Sequence, residues 1–217
     1  MCRAEPLTSD SLVHPAIDLG ESLNPPTTSS PSSSSSSKVD ALLSILHASH
    51  TKDPTTKTVI FSQWTSFLDI IGTALTARSL PFTRIDGSMR SPARDAAMTS
   101  FSTPSPTSPH ILLASLAVCS VGLNLVAANQ VILADSWWAP AIEDQAVDRV
   151  HRLGQEREVT VWRLVMGGSI EERVLGVQSE KRRLAGMALR EKGGRKRGGG
   201  EGRVGDIQRL LGPVSGG

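Results

Sequence analysis

Residues 145–155 read QAVDRVHRLGQ and place Arg149 and Arg152 three positions apart. Residues three apart lie on the same face of a helix, so this spacing brings both guanidinium groups to one side. Pro140 favours a helix start and Gly154 a left-handed stop, which predicts a helix with both arginines in its last turn. Two guanidinium groups at such a point can neutralise charge that develops on a transferring phosphoryl group.

Strands and helices alternate around this stretch. Ser169 and Glu172 form a capping-box pattern, which predicts a final helix that reaches about Leu189. Alternating elements of this kind favour an α/β fold, a doubly wound parallel sheet with its functional loops at the carboxyl ends of the strands. Five short apolar runs have the length and composition of buried strands. They cover residues 58–62, 82–85, 110–114, 130–134 and 159–165.

The two ends of the chain differ in composition from the α/β segment, which we place at residues 38–190. Residues 1–37 show little periodicity and end in a serine run, which predicts a disordered linker. Residues 191–217 form a basic, glycine-rich tail, typical of nucleic-acid binding, of a nuclear import signal or of a solvated tail. Within it, residues 206–212 are apolar enough to dock back on the domain. The sequence leaves open whether this segment docks or stays undocked.

Composition limits the classes of site and partner. The 217 residues carry a net charge of +2, and no apolar run approaches the roughly 20 residues that cross a bilayer, so we predict no membrane partner. The cysteines, Cys2 and Cys119, are too far apart in sequence for a zinc motif, so we predict no metal site. The sequence also has no G-x-x-x-x-G-K-[ST] loop, the motif that cradles the phosphates of a bound nucleotide.

Five segments resemble, in order, the motifs of one protein family. Residues 60–64 (IFSQW), 84–95 (RIDGSMRSPARD), 115–125 (SLAVCSVGLNL), 135–140 (DSWWAP) and 145–155 are similar to motifs of superfamily 2 nucleic-acid motors. The HRLGQ ending is the form of the Swi/Snf-type ATPases. We therefore identify residues 38–189 as resembling the C-terminal RecA-like lobe of a Swi/Snf-type DNA translocase. The paired tryptophans are most similar to the DNA-repair branch that carries an embedded RING domain, the helicase-like transcription factor group.

The resemblance implies a site shared between two lobes. ATP would lie between them, with its Mg²⁺ held by a first lobe that is not within this sequence, and Arg149 and Arg152 would act as catalytic arginine fingers. The implied nucleotide-binding residues are Gly122, Asn124, Gln145 and Asp148. The implied DNA-binding residues are Ser62, Gln63, Ser88, Ser115 and Trp138. Trp137 would be the core member of the tryptophan pair.

The same resemblance implies the setting in which the chain works. The expected partners are double-stranded DNA, a first RecA-like lobe, and nucleosomes or DNA-repair proteins, and the expected location is nuclear. Cys2 is also a candidate for the last zinc ligand of a RING domain placed before this segment. The sequence departs from the family pattern where Ala117 replaces a lysine and where Cys119 and Ser120 replace two glycines.

Three alternatives stay open at this point. The arginine stretch could be a solvated helix whose Asp148 and Arg152 form an i,i+4 ion pair. The chain could be an inactive fragment that binds DNA or a protein partner, so the sequence leaves open whether it is an enzyme. An RNA helicase lobe is a third alternative, and the HRLGQ ending and the paired tryptophans argue against it.

We expect the 217-residue chain tested by itself to show no ATP hydrolysis, with or without duplex DNA. The reason is that a phosphate-binding loop and a Mg²⁺ site must hold the nucleotide before an arginine can act on it. A phosphate-release assay on the purified chain checks this expectation. DNA-stimulated turnover that disappears in the Arg149→Ala/Arg152→Ala variant would contradict it, whereas turnover that survives in this variant comes from a contaminant.

Overall fold

The computed structural model describes residues 2–7, 36–105 and 107–193, and within them helices and strands alternate as the sequence predicts. Residues 1 and 8–35 of the predicted linker 1–37 lie outside the described residues, as do residues 194–217 of the predicted basic tail, which include the docking segment 206–212. In chain order the elements are β1 (Cys2–Leu7), α1 (Ser37–Lys52), β2 (Thr58–Ser62), α2 (Thr65–Ala77), β3 (Phe82–Ile85), α3 (Ser91–Ser102), β4 (Ile111–Ser115), a 3₁₀ helix (Leu116–Val121), β5 (Gln130–Leu133), α4 (Pro140–Val147), β6 (Thr160–Met166) and α5 (Ile170–Gly193).

The strands form one sheet in the order β1-β6-β5-β2-β4-β3. Strands β2 to β6 are all parallel to their neighbours, and β1 alone runs antiparallel, against β6. Of the parallel neighbours, β3 and β4 are consecutive in the chain, as are β5 and β6, whereas β2 pairs with β4 and β5. Because parallel strands cannot be joined by a tight hairpin, each connection between them must cross over. The predicted parallel α/β sheet is confirmed.

Two apolar clusters cover opposite faces of this sheet. In β2, Ile60 packs in one cluster with α1 and α2, whereas its neighbours Val59 and Phe61 pack in the other with α3 and α4. Side chains alternate between faces along a strand, so an all-apolar strand needs cover on both sides. Burial of both faces of β2, β4 and β5 is the main apolar contribution to the stability of this fold.

Strand β1 corrects the prediction that residues 1–37 are a linker throughout. Cys2–Leu7 pairs in register with Leu7 opposite Val161 and Cys2 opposite Met166. A strand at a sheet edge uses one row of backbone groups, so it tolerates Pro6, which has no N–H to donate. Its pairing depends on the exposed edge of β6, more than 150 residues later in the chain, and local periodicity therefore gives no signal for it.

The chain divides into two compact units, between Ser179 and Glu180. The first contains the sheet and its covering helices. In the second, the described residues belong to the end of α5, where Arg183 and Glu180 form an ion pair on one helix face. Within the described ranges, no helix has both the length and the apolar character needed to cross a bilayer.

Candidate functional site

The residues expected to contact DNA follow the carboxyl ends of four neighbouring strands. Gln63 follows β2, Ser88 follows β3, Ser115 ends β4, and Trp138 follows β5. These strands are parallel and adjacent in the order β5-β2-β4-β3, so their carboxyl ends meet at one edge of the sheet. We call this edge the carboxyl edge. It brings together segments that are up to 75 residues apart in sequence, as a doubly wound sheet does at its binding face.

The side chains of Ser62 and Ser115 face the interior rather than this edge. The Ser62 hydroxyl donates to the carboxylate of Asp135, and the Gln63 backbone N–H donates to the same carboxylate at 3.1 Å. Burial raises the pKa of Asp135, and these two hydrogen bonds oppose that rise. Ser62 and Ser115 are buried, so a phosphate could reach them only through backbone groups, and their role in DNA binding stays a prediction.

Ser88 lies at the surface in a tight turn after β3. Its hydroxyl and its backbone N–H donate to Asp86 Oδ1 at 2.5 and 3.0 Å, and Arg84 Nε donates to Asp86 Oδ2 at 2.8 Å. The hydroxyl of Ser88, its N–H and the Arg84 charge hold the pKa of Asp86 below its usual range. A charged Asp86 therefore fixes the backbone of this turn and presents Ser88 outward.

The two adjacent tryptophans point in different directions. Trp138 is 46% exposed, whereas Trp137 is half-buried and packs against the cluster beneath α3 and α4. The Trp137 ring also meets Trp64 edge-to-face, with ring centroids 6.4 Å apart, and Trp64 is itself 60% exposed. This geometry matches the expected division of the pair, with Trp137 as the packing residue and Trp138 at the surface.

Arg149 and Arg152 lie beyond helix α4, which corrects the prediction that they occupy its last turn. The helix ends at Val147 and is capped by Asp148. The Arg149 N–H then bonds the carbonyl of Ala146, three residues back, and the Arg149 carbonyl accepts a hydrogen bond from Leu125 N–H at 3.0 Å. The bond from Arg149 N–H is thus of the 3₁₀ type, and the arginines sit in the turn that follows the α-helix.

Both guanidinium groups lack a protein partner in residues 36–105 and 107–193. The exposed guanidinium group of Arg152 has no hydrogen bond or ion pair with a described residue, so the alternative Asp148–Arg152 ion pair is absent from the described part of the chain. Arg149 is half-buried, and its enclosed Nε has no hydrogen-bond acceptor. A buried donor without an acceptor is costly, so the Arg149 guanidinium is suited to bind an anionic group that none of the described residues supplies.

The loop after β4 contains two of the four expected nucleotide-binding residues. Gly122 ends the 3₁₀ helix with φ +73°, a conformation that favours glycine, and the exposed Asn124 accepts a weak bond from Val126 N–H at 3.4 Å. Gln145 and Asp148 are exposed on α4 and at its cap. The arginine turn and this loop meet through Arg149 and Leu125, whereas the carboxyl edge lies at the other end of α4, about 12 Å away by helix length.

The two cysteines have no exposed reactive thiol. Cys119 is buried in the 3₁₀ helix, and burial raises its pKa to about 12 although the nearby Arg149 charge lowers it. The thiol is therefore protonated at neutral pH and is a poor nucleophile. Cys2 packs against the cluster on the α1 face, and burial raises its pKa as well. In the described part of the chain, no group of three or more His, Cys, Asp or Glu side chains could hold a metal ion.

Sequence reasoning assigned no role to Gln155, which joins the arginine turn to the loop after β4. Its Nε2 donates to the carbonyls of Ala128 at 2.7 Å and Val126 at 3.1 Å. Gly154, with φ +101°, turns the chain so that Gln155 points back at this loop. The amide of Gln155 thereby fixes the distance between the arginine turn and the loop after β4. The QAVDRVHRLGQ stretch contained this signal, but only the fold shows which carbonyls the amide reaches.

The fold and this arrangement define a RecA-like α/β lobe. Among solved structures, the crystal structure of the C-terminal part of the Fun30 ATPase domain superposes with a TM-score of 0.62 and 35% sequence identity. The match covers 66% of this chain and 45% of that structure. The family described as the helicase conserved C-terminal domain matches residues 37–154, more than half of the chain, and the chain belongs to that family.

Curated relatives place it among Swi/Snf-type proteins. A putative SWI/SNF-related regulator of chromatin, subfamily A member 3-like 1, from Arabidopsis thaliana is 46% identical over 74% of this chain. DNA repair protein RAD5 of Gibberella zeae is 49% identical over 70%, and mouse helicase-like transcription factor is 46% identical over 71%. The aligned regions are 18%, 13% and 16% of these relatives, so this chain spans less than a fifth of each. The branch expected from the tryptophan pair is confirmed.

We expect Gly154→Ala to destabilise the first unit by roughly 1–2 kcal/mol, because a side chain at positive φ is strained. Gly87→Ala is the matched control. A methyl group at either position would meet nothing within 4 Å, and only Gly154 has positive φ, so the difference between the variants isolates the backbone conformation. Urea unfolding of both variants measures it. Equal stability of the two would show that the turn does not need the left-handed conformation.

Proposed function

We propose that this chain is the second motor lobe of an ATP-dependent translocase on double-stranded DNA. In this proposal ATP lies between this lobe and a first RecA-like lobe that supplies the phosphate-binding loop and the Mg²⁺ ligands. Membership of the helicase C-terminal family supports the lobe assignment. The observation that carries the proposal is one turn with two arginines that have no partner among the described residues.

The nucleotide side is proposed from the charges in that turn. Arg149 and Arg152 would hold the oxygens of the terminal phosphate, and their fixed positive charge would stabilise the charge that spreads over the transferring group. ATP itself supplies the phosphoryl group and the free energy of its hydrolysis. Gly122, Asn124, Gln145 and Asp148 would border the nucleotide. Support comes from the Gln155 and Leu125 bonds, which hold the loop after β4 beside the arginine turn.

The DNA side is proposed at the carboxyl edge. Gln63, Ser88 and Trp138 have side chains that are not fully buried there, and Ser62 and Ser115 would contribute backbone groups. Polar groups of this kind contact phosphate and sugar and so position a duplex without reading its sequence. A motor that moves along DNA needs that property. The exposed Trp138 ring would contact the groove.

The partners and location are proposed from the relatives. Their names describe a regulator of chromatin, a DNA repair protein and a helicase-like transcription factor. A chain of this kind would work in the nucleus, as part of a protein with a first lobe, on nucleosomes or on DNA-repair complexes. Remodelling of bound protein, rather than strand separation, is the activity that the family assignment favours.

We expect Arg149→Ala or Arg152→Ala to lower DNA-stimulated ATP turnover by roughly 10³–10⁵, the usual effect of losing an arginine finger. The assay uses this chain fused to the first lobe of a helicase-like transcription factor. Lysine at either position should restore little activity, because it lacks the planar fork of donors. Arg78→Ala, at an exposed arginine that caps α2, is the control and should keep full turnover. Near-normal turnover in either site variant would make that arginine structural.

We expect Trp138→Ala, in the same fused protein, to slow triplex displacement more than ATP hydrolysis, because it removes a DNA contact and leaves the arginine turn intact. Trp137→Ala should instead lower the melting temperature, since deleting a buried aromatic ring costs roughly 3–5 kcal/mol and Trp137 is half-buried. Calorimetry and a triplex assay on both variants separate the two effects. If Trp138→Ala instead lowered the melting temperature and Trp137→Ala slowed triplex displacement more than ATP hydrolysis, the roles of the two tryptophans would be reversed.

A further inference from the structure

Glu143 is a buried carboxylate that accepts hydrogen bonds from three separate elements. It lies on the first turn of α4 and is 1% exposed. Its Oε2 accepts a hydrogen bond from Arg163 Nη2 of β6 at 2.6 Å. Its Oε1 accepts hydrogen bonds from Gln178 Nε2 of α5 and from the Trp137 backbone N–H, each at 2.7 Å. One side chain thus joins a helix, the strand beside β5, a second helix and the tryptophan loop.

The backbone of Trp137 is held on both sides by this cluster. Its N–H donates to Glu143, and its carbonyl accepts from Gln178 Nε2 at 2.5 Å. With both groups engaged, the peptide plane that leads into Trp138 is fixed. The direction in which the backbone enters Trp138 therefore follows from bonds made by its neighbour.

Helix α4 connects this cluster directly to the arginine turn. Ala146 and Val150 are fully buried one and two turns beyond Glu143, so the helix and its turn are packed against the sheet as one body. The Arg149 carbonyl is bonded to Leu125 at the far end. Helix α4 therefore links the tryptophan loop, bonded to Glu143, to the turn that contains both arginines.

The ion pair alone does not explain the cluster. A buried ion pair stabilises a fold little more than well-packed apolar side chains of similar volume, because desolvation of the charges offsets their attraction. An apolar pair at positions 143 and 163 could fill the same space. It could not accept the Trp137 N–H, and this acceptor is what the carboxylate adds.

We propose that Glu143 is a positioning residue that fixes the Trp137–Trp138 loop to helix α4. Arg163 forms an ion pair with the carboxylate, and Gln178 donates a hydrogen bond to the Trp137 carbonyl. The statement that this loop contacts DNA rests on the function proposed above. The statement that Glu143 positions the Trp138 ring does not depend on that function. Two readouts can therefore test the two statements separately.

The test compares two double variants of the 217-residue chain. Glu143→Met/Arg163→Met removes the ion pair and the acceptor, and Glu143→Gln/Arg163→Met removes the ion pair but keeps an acceptor oxygen. The first readout is the ¹⁹F NMR spectrum of the chain labelled with 5-fluorotryptophan. The Trp138 signal is identified as the one that disappears in the Trp138→Phe variant. The second is the Kd for a fluorescent 20-base-pair duplex, and the melting temperature checks the fold. Asp53→Asn, which breaks the remote surface pair with Arg157, is the control.

We expect the methionine pair to move the Trp138 signal toward that of free fluorotryptophan and to weaken duplex binding about tenfold, with a melting temperature within a few degrees of the parent. The glutamine variant and the Asp53 control should keep both readouts. An unchanged Trp138 signal in the methionine pair overturns the proposal, and an equal change in both double variants overturns it too, because the acceptor would then be irrelevant.

A further variant covers the case in which the methionine pair does not fold. Gln178→Leu leaves the ion pair in place and removes the bond to the Trp137 carbonyl, so it should shift the Trp138 signal in the same direction by a smaller amount. No shift in that variant overturns the proposal. Failure of the parent chain to bind duplex, with the expected changes in the Trp138 signal, would contradict the DNA role and leave the positioning role standing.

Discussion

The parallel pairing of β5, β2, β4 and β3 is the constraint on which the rest of the structure depends. Because all four strands point the same way, every loop that leaves them starts at one edge. Two covered faces make this pairing stable, and the covering helices must then run back to the opposite edge. Helix α4 does so in eight residues, and the turn that follows it therefore places Arg149 and Arg152 away from the edge at which Trp138 lies.

Because the carboxyl edge and the arginine turn are separated, the site depends on elements that connect them. The structure has two bridges. One is α4 itself, with Glu143 at the tryptophan end and the Arg149 carbonyl at the other. The second is the loop after β4, which leaves the carboxyl edge through the 3₁₀ helix and reaches Gln155 near its return to β5. Both are made of short hydrogen bonds to backbone groups, so neither can lengthen without breaking a bond.

The sequence was sufficient for features that depend on local pattern. Apolar runs located β2 to β6 because strands buried on both faces need apolar side chains at every position, and the motif order indicated the family. It was insufficient where a distant partner decides the outcome. Strand β1 pairs with the edge of β6, the turn after α4 is bonded to Leu125 through the Arg149 carbonyl, and the Ser62 hydroxyl is bonded to Asp135. Arg163 was a usable signal, since a charge inside an apolar strand requires a buried partner, but only the fold identifies that partner as Glu143.

A structure of this chain with a first lobe, duplex DNA and a γ-phosphate analogue of ATP would test the central claim most directly. The quantity to measure is the distance from each guanidinium of Arg149 and Arg152 to the analogue oxygens. Our account predicts charge-assisted hydrogen bonds of about 2.7–2.9 Å from both arginines, with the Trp138 ring against the duplex in the same complex. Guanidinium groups that remain in solvent, or a duplex bound away from the carboxyl edge, would contradict it.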